Sequence, residues 1–242
     1  MTNPTLIPSG PAEVGHTHAD VSGGALRASV FGAMDGLVTN IALVAGVGAA
    51  GAAPRYIVLT GLAGLVAGAF SMAMGEYTSV RTQNEQVDRE WAKESAEIGA
   101  NAAAEERELA AMFANMGMTE ATAAQAARDI HGDPEQAALV HVTQELGLDP
   151  RDKPSPRVAA ISSFVTFSLG AVVPLLPFLL GFTSLAAGLL VGGLGLFIAG
   201  GLASLATVMP WWLSGLRQLA FGALAASATY AVGMLLGVGV PG

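Results

Sequence analysis

The chain of 242 residues contains no cysteine. Disulfide bonds, thiolate zinc sites, iron–sulfur clusters and cysteine nucleophiles are therefore all excluded. Any metal ion that this chain binds must be held by oxygen, imidazole or thioether ligands.

Charged residues are also scarce, because they make up 12% of the chain while hydrophobic residues make up 52%. A typical soluble domain carries roughly 25% charged residues, so the composition indicates contact with lipid. The net charge of −8 disfavours nucleic acid as a partner, because binding phosphate requires a basic surface. Of the 19 acidic residues, 15 lie between Glu85 and Asp152, which indicates a water-soluble module inserted into a membrane protein.

The first 25 residues lack the apolar run of a cleavable signal peptide and carry Pro4, Pro8 and Pro11. They are predicted to form a flexible tail. His16 and His18 in this tail are interpreted as an incidental polar pair rather than a site.

Five apolar stretches are long enough to cross a bilayer, since roughly 20 helical residues span a hydrocarbon core of about 30 Å. They cover residues 28–50, 56–79, 158–180, 184–208 and 217–239. The predicted fold is an all-α membrane protein with five transmembrane helices and a helical module between helices 2 and 3. The predicted units are a tail (1–25), transmembrane helices 1 and 2 (26–80), an acidic module (81–157) and transmembrane helices 3 to 5 (158–242).

The distribution of lysine and arginine predicts the orientation of the helices, because cytoplasmic loops are enriched in these residues. Only Arg55 falls on one side. The other side collects Arg27, Arg81, Arg89, Lys93, Arg151, Lys153, Arg157 and Arg217. The amino terminus and the module are therefore expected in the cytosol, and the carboxyl terminus outside.

The module is predicted to contain three helices. The first runs without a proline over 82–115 and continues the second membrane helix up to Gly117, a residue suited to a helix end. Thr119 is predicted to cap a helix over 120–131. Asp133, followed by proline, is predicted to cap the third helix over 134–147, which Gly147 ends.

Four carboxylates of the first module helix share one helical face, because their spacings of 3, 8 and 3 residues are close to whole turns. They are Glu94, Glu97, Glu105 and Glu108. Stacked like charges repel each other, so this face predicts a bound cation. A solvated acidic face explains the same spacing.

His141 and Glu145 lie one helical turn apart in the third module helix and so share a side. Facing the glutamates, they would complete a mixed nitrogen and oxygen site for Fe²⁺, Mn²⁺ or Zn²⁺. Taken alone, such a pair is also common surface decoration.

Asp35 lies about two turns inside the first membrane helix, where an ionised carboxylate costs at least ~2.5 kcal/mol. A functional role is the default interpretation. Met72 and Met74 in the second helix offer thioether sulfur, which transition metals accept more readily than Ca²⁺ or Mg²⁺ does. Methionine at such positions more often fills the core. Glu76 is predicted to form a pore entrance or to pair with Arg81.

Four motifs resemble the vacuolar iron transporter family over about residues 27–240. They are Asp35-Gly36-Leu37-Val38-Thr39-Asn40, the run from Ala69 to Tyr77, Pro174-Leu175-Leu176-Pro177 and Glu145-Leu146-Gly147-Leu148. The resemblance implies a homodimer of five-helix subunits, with a pore at the dimer interface that exchanges cytosolic Fe²⁺ or Mn²⁺ for protons. The predicted location is a bacterial-type inner membrane, with no prosthetic group and with Zn²⁺ and Co²⁺ as further candidate ions.

The same resemblance implies roles for individual residues. The residues matching Asp35 and Met72 line the pore, and those matching Glu94, Glu97, Glu105, Glu108 and Glu145 bind metal in the module. The family carries methionine at the positions of His141 and Val142, so the metal preference of this chain is expected to differ. Two other functions compete with transport: a membrane-anchored metal buffer or sensor, and a di-iron ferroxidase. A ferroxidase centre usually combines Glu-x-x-His pairs, which this chain lacks at its glutamate pairs.

Overall fold

The computed structural model describes residues 24–147, 149–206 and 208–237, and every regular element in these ranges is helical. The helices are α1 (Gly24–Ala49), α2 (Pro54–Asn115), α3 (Glu120–His131), α4 (Pro134–Leu146), α5 (Pro156–Val172), α6 (Leu176–Leu179), α7 (Leu185–Ala203) and α8 (Trp211–Gly237). Short 3₁₀ turns follow α5 and α7. The predicted tail, with His16 and His18, lies outside the described residues except for its last two positions.

Five helical segments in the described ranges are long and apolar enough to cross a membrane by length and composition. They are Ala25–Ala49, the early part of Pro54–Asn115, Pro156–Leu179, Leu185–Ala203 and Trp211–Gly237. The predicted starts agree to within a few residues except for the last one, which was placed at residue 217. Helix α8 begins earlier because the carbonyl of Pro210 accepts the first helical hydrogen bonds, from the N–H groups of Leu213 and Ser214. Arg217 therefore lies in the second turn of α8 and not at its first residue.

Helices α1 and α5 approach each other closely because glycines face backbone across their interface. A Cβ on Gly36 would collide with the backbone of Phe167 and Ala171, and one on Gly170 would collide with the backbone of Ala33. Small residues at such positions permit the close contact that holds helices together in lipid.

Asn40 ties α1 to two neighbouring helices. Its side chain is fully buried, and its Nδ2 donates to the carbonyl oxygens of Gly61 in α2, at 3.2 Å, and of Ala171 in α5, at 2.5 Å. Hydrogen bonds of this kind hold apolar helices in register because water is not available as an alternative partner.

The apolar segment that begins with α5 is interrupted near its end. Pro174 and Pro177 have no N–H to donate, so the helix changes to a 3₁₀ turn over Val173–Leu175 before continuing as α6. Both prolines are buried.

The module helices begin and end where their caps were predicted. Thr119 accepts a hydrogen bond from the N–H of Thr122, and Asp133 accepts from the N–H groups of the first turn of α4. Gly117 and Gly147 have positive φ angles of 103° and 67°, the conformation that favours glycine after a helix end.

The first module helix is not continuous, and this prediction was wrong. At Asn101 the backbone leaves helical geometry, with φ −151° and ψ 56°, so α2 consists of two segments that meet at this residue. We call Asn101 the break in α2.

Packing in the module joins each segment of α2 to a different neighbour. Before the break, Ile98 packs against Ala137 and Ala138 of α4. After the break, Leu109 and Phe113 pack against α3 through Ala123 and Ala127. The two segments are thereby folded towards one another with α3 and α4 alongside.

Candidate metal centre

Three potential metal ligands converge inside the module: Glu94, Glu105 and His141. One ligand atom from each lies within 4.8 Å of the other two. Glu94 belongs to the first segment of α2, Glu105 to the second, and His141 to α4. We call these three residues the inner cluster.

The break at Asn101 makes this convergence possible. In a straight helix, Glu94 and Glu105 would be separated by about 16 Å of axial rise, which two glutamate side chains cannot close to 4.8 Å. The predicted stripe on one continuous helix therefore has the wrong geometry. Its members meet because the helix is interrupted between them.

Two of the three residues of the inner cluster are buried, and Glu105 is partly exposed. His141 has no exposed surface and Glu94 is 5% exposed, which is rare for a glutamate. His141 Nδ1 and Glu94 Oε1 lie 3.0 Å apart, but without hydrogen-bond geometry. Within the described part of the chain, neither these two atoms nor His141 Nε2 has a hydrogen-bond partner.

Buried polar atoms without partners are uncommon, because each of them loses hydrogen bonds to water and gains nothing in return. A divalent cation between the three side chains would give these atoms a partner and neutralise the carboxylates. One imidazole and two carboxylates form a ligand set suited to Fe²⁺, Mn²⁺, Co²⁺ or Zn²⁺.

Burial and mutual repulsion raise the pKa values of the carboxyl groups around this point. Burial is the largest cause for Glu94, and the charges of Glu145, Glu105, Glu97 and Glu108 add to it, so that the pKa of Glu94 rises to about 7. The pKa values of Glu105 and Glu145 are also raised, first by burial and then by the charge of Glu108. Glu94, Glu105 and Glu145 therefore lie within electrostatic range of the same neighbouring carboxylates.

Burial lowers the pKa of His141, and the neighbouring His131 lowers it further, while Glu108 opposes the shift. His141 is therefore neutral at pH 7 and retains a nitrogen lone pair for a metal ion.

The remaining predicted module ligands surround the inner cluster at the protein surface. Glu97, Glu108 and Glu145 are exposed, and Glu97 lies 4.0 Å from the ammonium of Lys93. We call these three residues the outer carboxylates. They lie near enough to Glu94 to raise its pKa, but they are open to water.

Sequence reasoning missed His131, the last residue of α3. Its ring packs edge to face on the ring of His141, with 5.3 Å between the centroids. Glu135 follows it by four residues, the same spacing as His141 and Glu145, but α3 ends at His131 and α4 begins at Pro134, so the two side chains share no helical face. The only signal in the sequence was a second histidine within the module.

In the apolar helices, Asp35 is half-buried and its Oδ1 accepts a hydrogen bond from Thr39 Oγ1 at 3.4 Å. Met72 packs against the cluster formed by Ala69, Phe167 and Ala171, where α2 meets α5.

The other two predicted pore residues of α2 have different surroundings. Met74 is 68% exposed on the surface of the single chain. Glu76 forms an ion pair of 3.1 Å with Arg27 at the start of α1. The predicted alternative pairing of Glu76 with Arg81 is wrong, because Arg81 pairs with Glu85 one turn further along α2.

Comparison with known proteins gives a match to a family model described as "VIT family" over residues 26–234. The chain is 34% identical over 219 residues to "Vacuolar iron transporter homolog 1" of Oryza sativa subsp. japonica, covering 88% of this chain and 74% of that protein. It is 27% identical over 235 residues to "Vacuolar iron transporter 1" of the same species, covering 94% and 92%.

A third relative is "Vacuolar iron transporter" of Acanthamoeba castellanii, with 34% identity over 168 residues. This match covers 69% of the present chain but 60% of the Acanthamoeba protein, so the chain spans less than two thirds of that relative.

Proposed function

The chain belongs to the VIT family, and we propose that it is a multi-pass membrane protein that carries Fe²⁺ or Mn²⁺ out of the cytosol. The inner cluster is the observation that most supports metal binding, because its buried ligand atoms lack hydrogen-bond partners among the described residues. The relatives are named as iron transporters and not as enzymes.

In the proposed arrangement, five helices cross the membrane and the module lies in the cytosol. The five apolar segments support the crossings, and the one-sided distribution of lysine and arginine supports the orientation. Two copies are proposed to form a homodimer with the pore between them, as the family resemblance implies.

In the proposed mechanism, the outer carboxylates gather cations from the cytosol and raise their concentration beside the inner cluster. Exposed carboxylates suit this role, because they exchange ligands with water and attract divalent ions over several ångströms. Glu94, Glu105 and His141 then bind the ion and release it towards the membrane.

Within the membrane we assign the ion path to Asp35, Met72, Met74 and Glu76. Asp35 is proposed to bind metal when ionised and a proton when not, which would couple metal export to proton entry. Its position in an apolar helix supports the assignment, since acidic groups at this depth carry a cost that function offsets. Met74 is available to a partner subunit because it is exposed on the single chain.

The test is metal flux into proteoliposomes that contain the full chain, with and without a pH gradient. The Asp35→Asn variant is expected to abolish flux while metal binding to the module persists, because it removes the charge and keeps the side-chain size. Asp129→Asn, an exposed acid of α3 outside the cluster, is the matched control and is expected to keep full flux. Undiminished flux in Asp35→Asn would remove Asp35 from the path.

Two other outcomes would replace transport as the function. Metal binding by the wild-type chain without any flux would indicate a membrane-anchored buffer or sensor. Oxidation of Fe²⁺ by the purified protein at a rate that Glu94→Gln abolishes would indicate a ferroxidase.

A further inference from the structure

The two histidines of the module lie on different helices, because His131 ends α3 and His141 lies within α4. Helical spacing therefore does not predict that they meet. Their rings meet edge to face at a centroid distance of 5.3 Å and an interplanar angle of 85°. The pair places a second imidazole next to the inner cluster.

The hydrogen bonding of His131 determines which of its nitrogens is free. His131 Nδ1 lies 2.9 Å from the carbonyl oxygen of Ala127, and because a carbonyl can only accept, Nδ1 must carry the proton and donate. In the neutral ring Nε2 then keeps its lone pair. This atom is buried and has no hydrogen-bond partner among the described residues.

Metal-binding histidines have this arrangement, because they donate one ring N–H to a carbonyl or carboxylate and coordinate through the other nitrogen. The hydrogen bond to the carbonyl of Ala127 would therefore fix both the tautomer and the orientation of the ring before an ion binds.

His131 lies beside the inner cluster, although its ring nitrogens are not among the ligand atoms that meet within 4.8 Å. It touches His141 of α4. Helix α3 holds it there by packing on the second segment of α2 through Ala123 and Ala127.

We propose that His131 is a fourth metal ligand, through Nε2, and that it joins Glu94, Glu105 and His141 in a site of two imidazoles and two carboxylates. This proposal rests on the metal site of the proposed function and names a ligand that the family resemblance does not supply. Imidazole favours Fe²⁺, Co²⁺ and Zn²⁺, whereas Mn²⁺ is better served by oxygen ligands. His131 therefore biases the site against Mn²⁺.

The first experiment counts imidazole ligands. The chain has four histidines, so His16→Ala and His18→Ala together leave only the module pair. The full chain with these two changes, in detergent and loaded with one equivalent of Zn²⁺ or Co²⁺, is examined by X-ray absorption. Two imidazoles are expected in this background and one after His131→Gln. One imidazole in the background, unchanged by His131→Gln, would overturn the proposal whether or not the variant folds normally.

The second experiment measures the preference of the site for Zn²⁺ over Mn²⁺. In competition titrations on the same background, His131→Gln is expected to lower the affinity for Zn²⁺ by about tenfold or more. The affinity for Mn²⁺ is expected to fall less, so the Zn²⁺ to Mn²⁺ ratio decreases. Gln125→Ala, an exposed change on α3, is the control and is expected to leave both affinities unchanged. Equal losses for the two ions would contradict a role in selectivity.

Different results would contradict the metal site itself and the role of His131 as its fourth ligand. If the background protein binds no divalent ion, or binds it equally well after Glu94→Gln with Glu105→Gln, the metal site of the proposed function is wrong. If it binds an ion through one imidazole, that site stands and His131 is a packing residue.

Discussion

Glu94 combines two properties that oppose each other, since it is almost fully buried and is surrounded by four further carboxylates. Each property alone raises the pKa of an acid, and together they bring it to about 7. A divalent cation favours the ionised form instead, because the crowded carboxylates can then bind it as ligands. Metal binding at this residue is therefore in direct competition with a proton.

This competition predicts that the affinity of the full chain for Zn²⁺ or Co²⁺ depends on pH. With a pKa of about 7, Glu94 is ionised at pH 8 and mostly protonated at pH 6. One competing proton of this pKa weakens binding by about tenfold over that range. Titration calorimetry in two buffers of different ionisation enthalpy would measure both the loss and the proton released. An affinity that is constant between pH 6 and pH 8 would contradict competition between the metal ion and a proton at Glu94.

The same shift also affects folding without metal. The folded chain holds the proton of Glu94 more tightly than the unfolded chain, so the stabilisation is complete below the ordinary value of 4.5 and is lost as pH rises through about 7. Thermal unfolding of the metal-free protein should therefore occur at lower temperature at pH 8 than at pH 5. Glu94→Gln should reduce this difference, whereas Glu97→Gln, at an exposed outer carboxylate, should leave most of it.

At the scale of helices, a sequence predicts features that depend on neighbouring residues better than features that depend on long-range contacts. Thr119, Asp133 and Gly147 act within a few residues of themselves, so the ends of the module helices were predicted and are confirmed. The start of α8 at Trp211 was placed too late because the apolar average rises only after Arg217. The caps and the start of α8 both depend on nearby residues and not on contacts between distant helices.

The break at Asn101 could not be predicted in this way. Asparagine is a mild helix breaker compared with proline or glycine, and this one stands in an alanine-rich run that favours helix. The break is held instead by tertiary packing, because Ile98 and Leu109 on either side of it pack on different helices. The carboxylates were identified by a helical face that the folded chain does not have.

A distance measurement would test the break. The natural chain has no cysteine, so Ala92→Cys with Ala111→Cys, both at exposed positions, can carry spin labels without further changes. A straight helix would place these Cα atoms about 28 Å apart, and the break at Asn101 should give a clearly shorter mean distance. Thr82→Cys with Ala96→Cys, within one segment, should keep the separation of about 21 Å of a straight helix. A Cα separation near 28 Å for the first pair would show that α2 is continuous.

For the whole molecule, charge and apolar surface are separated along the chain. Large exposed apolar side chains are spread over α2, α7 and α8, among them Leu59, Leu190 and Leu235, as expected for helices that face lipid. The acidic residues are concentrated in the module. The contacts that position the elements, such as Asn40 to Ala171 and Glu76 to Arg27, join residues far apart in sequence and leave no periodic signal.

The ion pair between Arg27 and Glu76 bears on the orientation in the membrane. It holds the start of α1 beside the point where α2 leaves its apolar part, so these two ends lie at the same level. If that level is the cytosolic face, five crossings place the module inside and the end of α8 outside.

Single cysteines in the loops would test this arrangement in sealed cells with a membrane-impermeant maleimide. Ala53→Cys and Thr183→Cys, in the short connections after α1 and α6, should react from outside. Asp152→Cys and Val208→Cys, at exposed positions before α5 and α8, should react only after the membrane is opened. The reason is the positive-inside rule, since lysine and arginine cluster around residues 151–157 and only Arg55 marks the other side. Labelling of Asp152→Cys in intact cells would reverse the proposed orientation and place the inner cluster outside, where it could not collect metal for export.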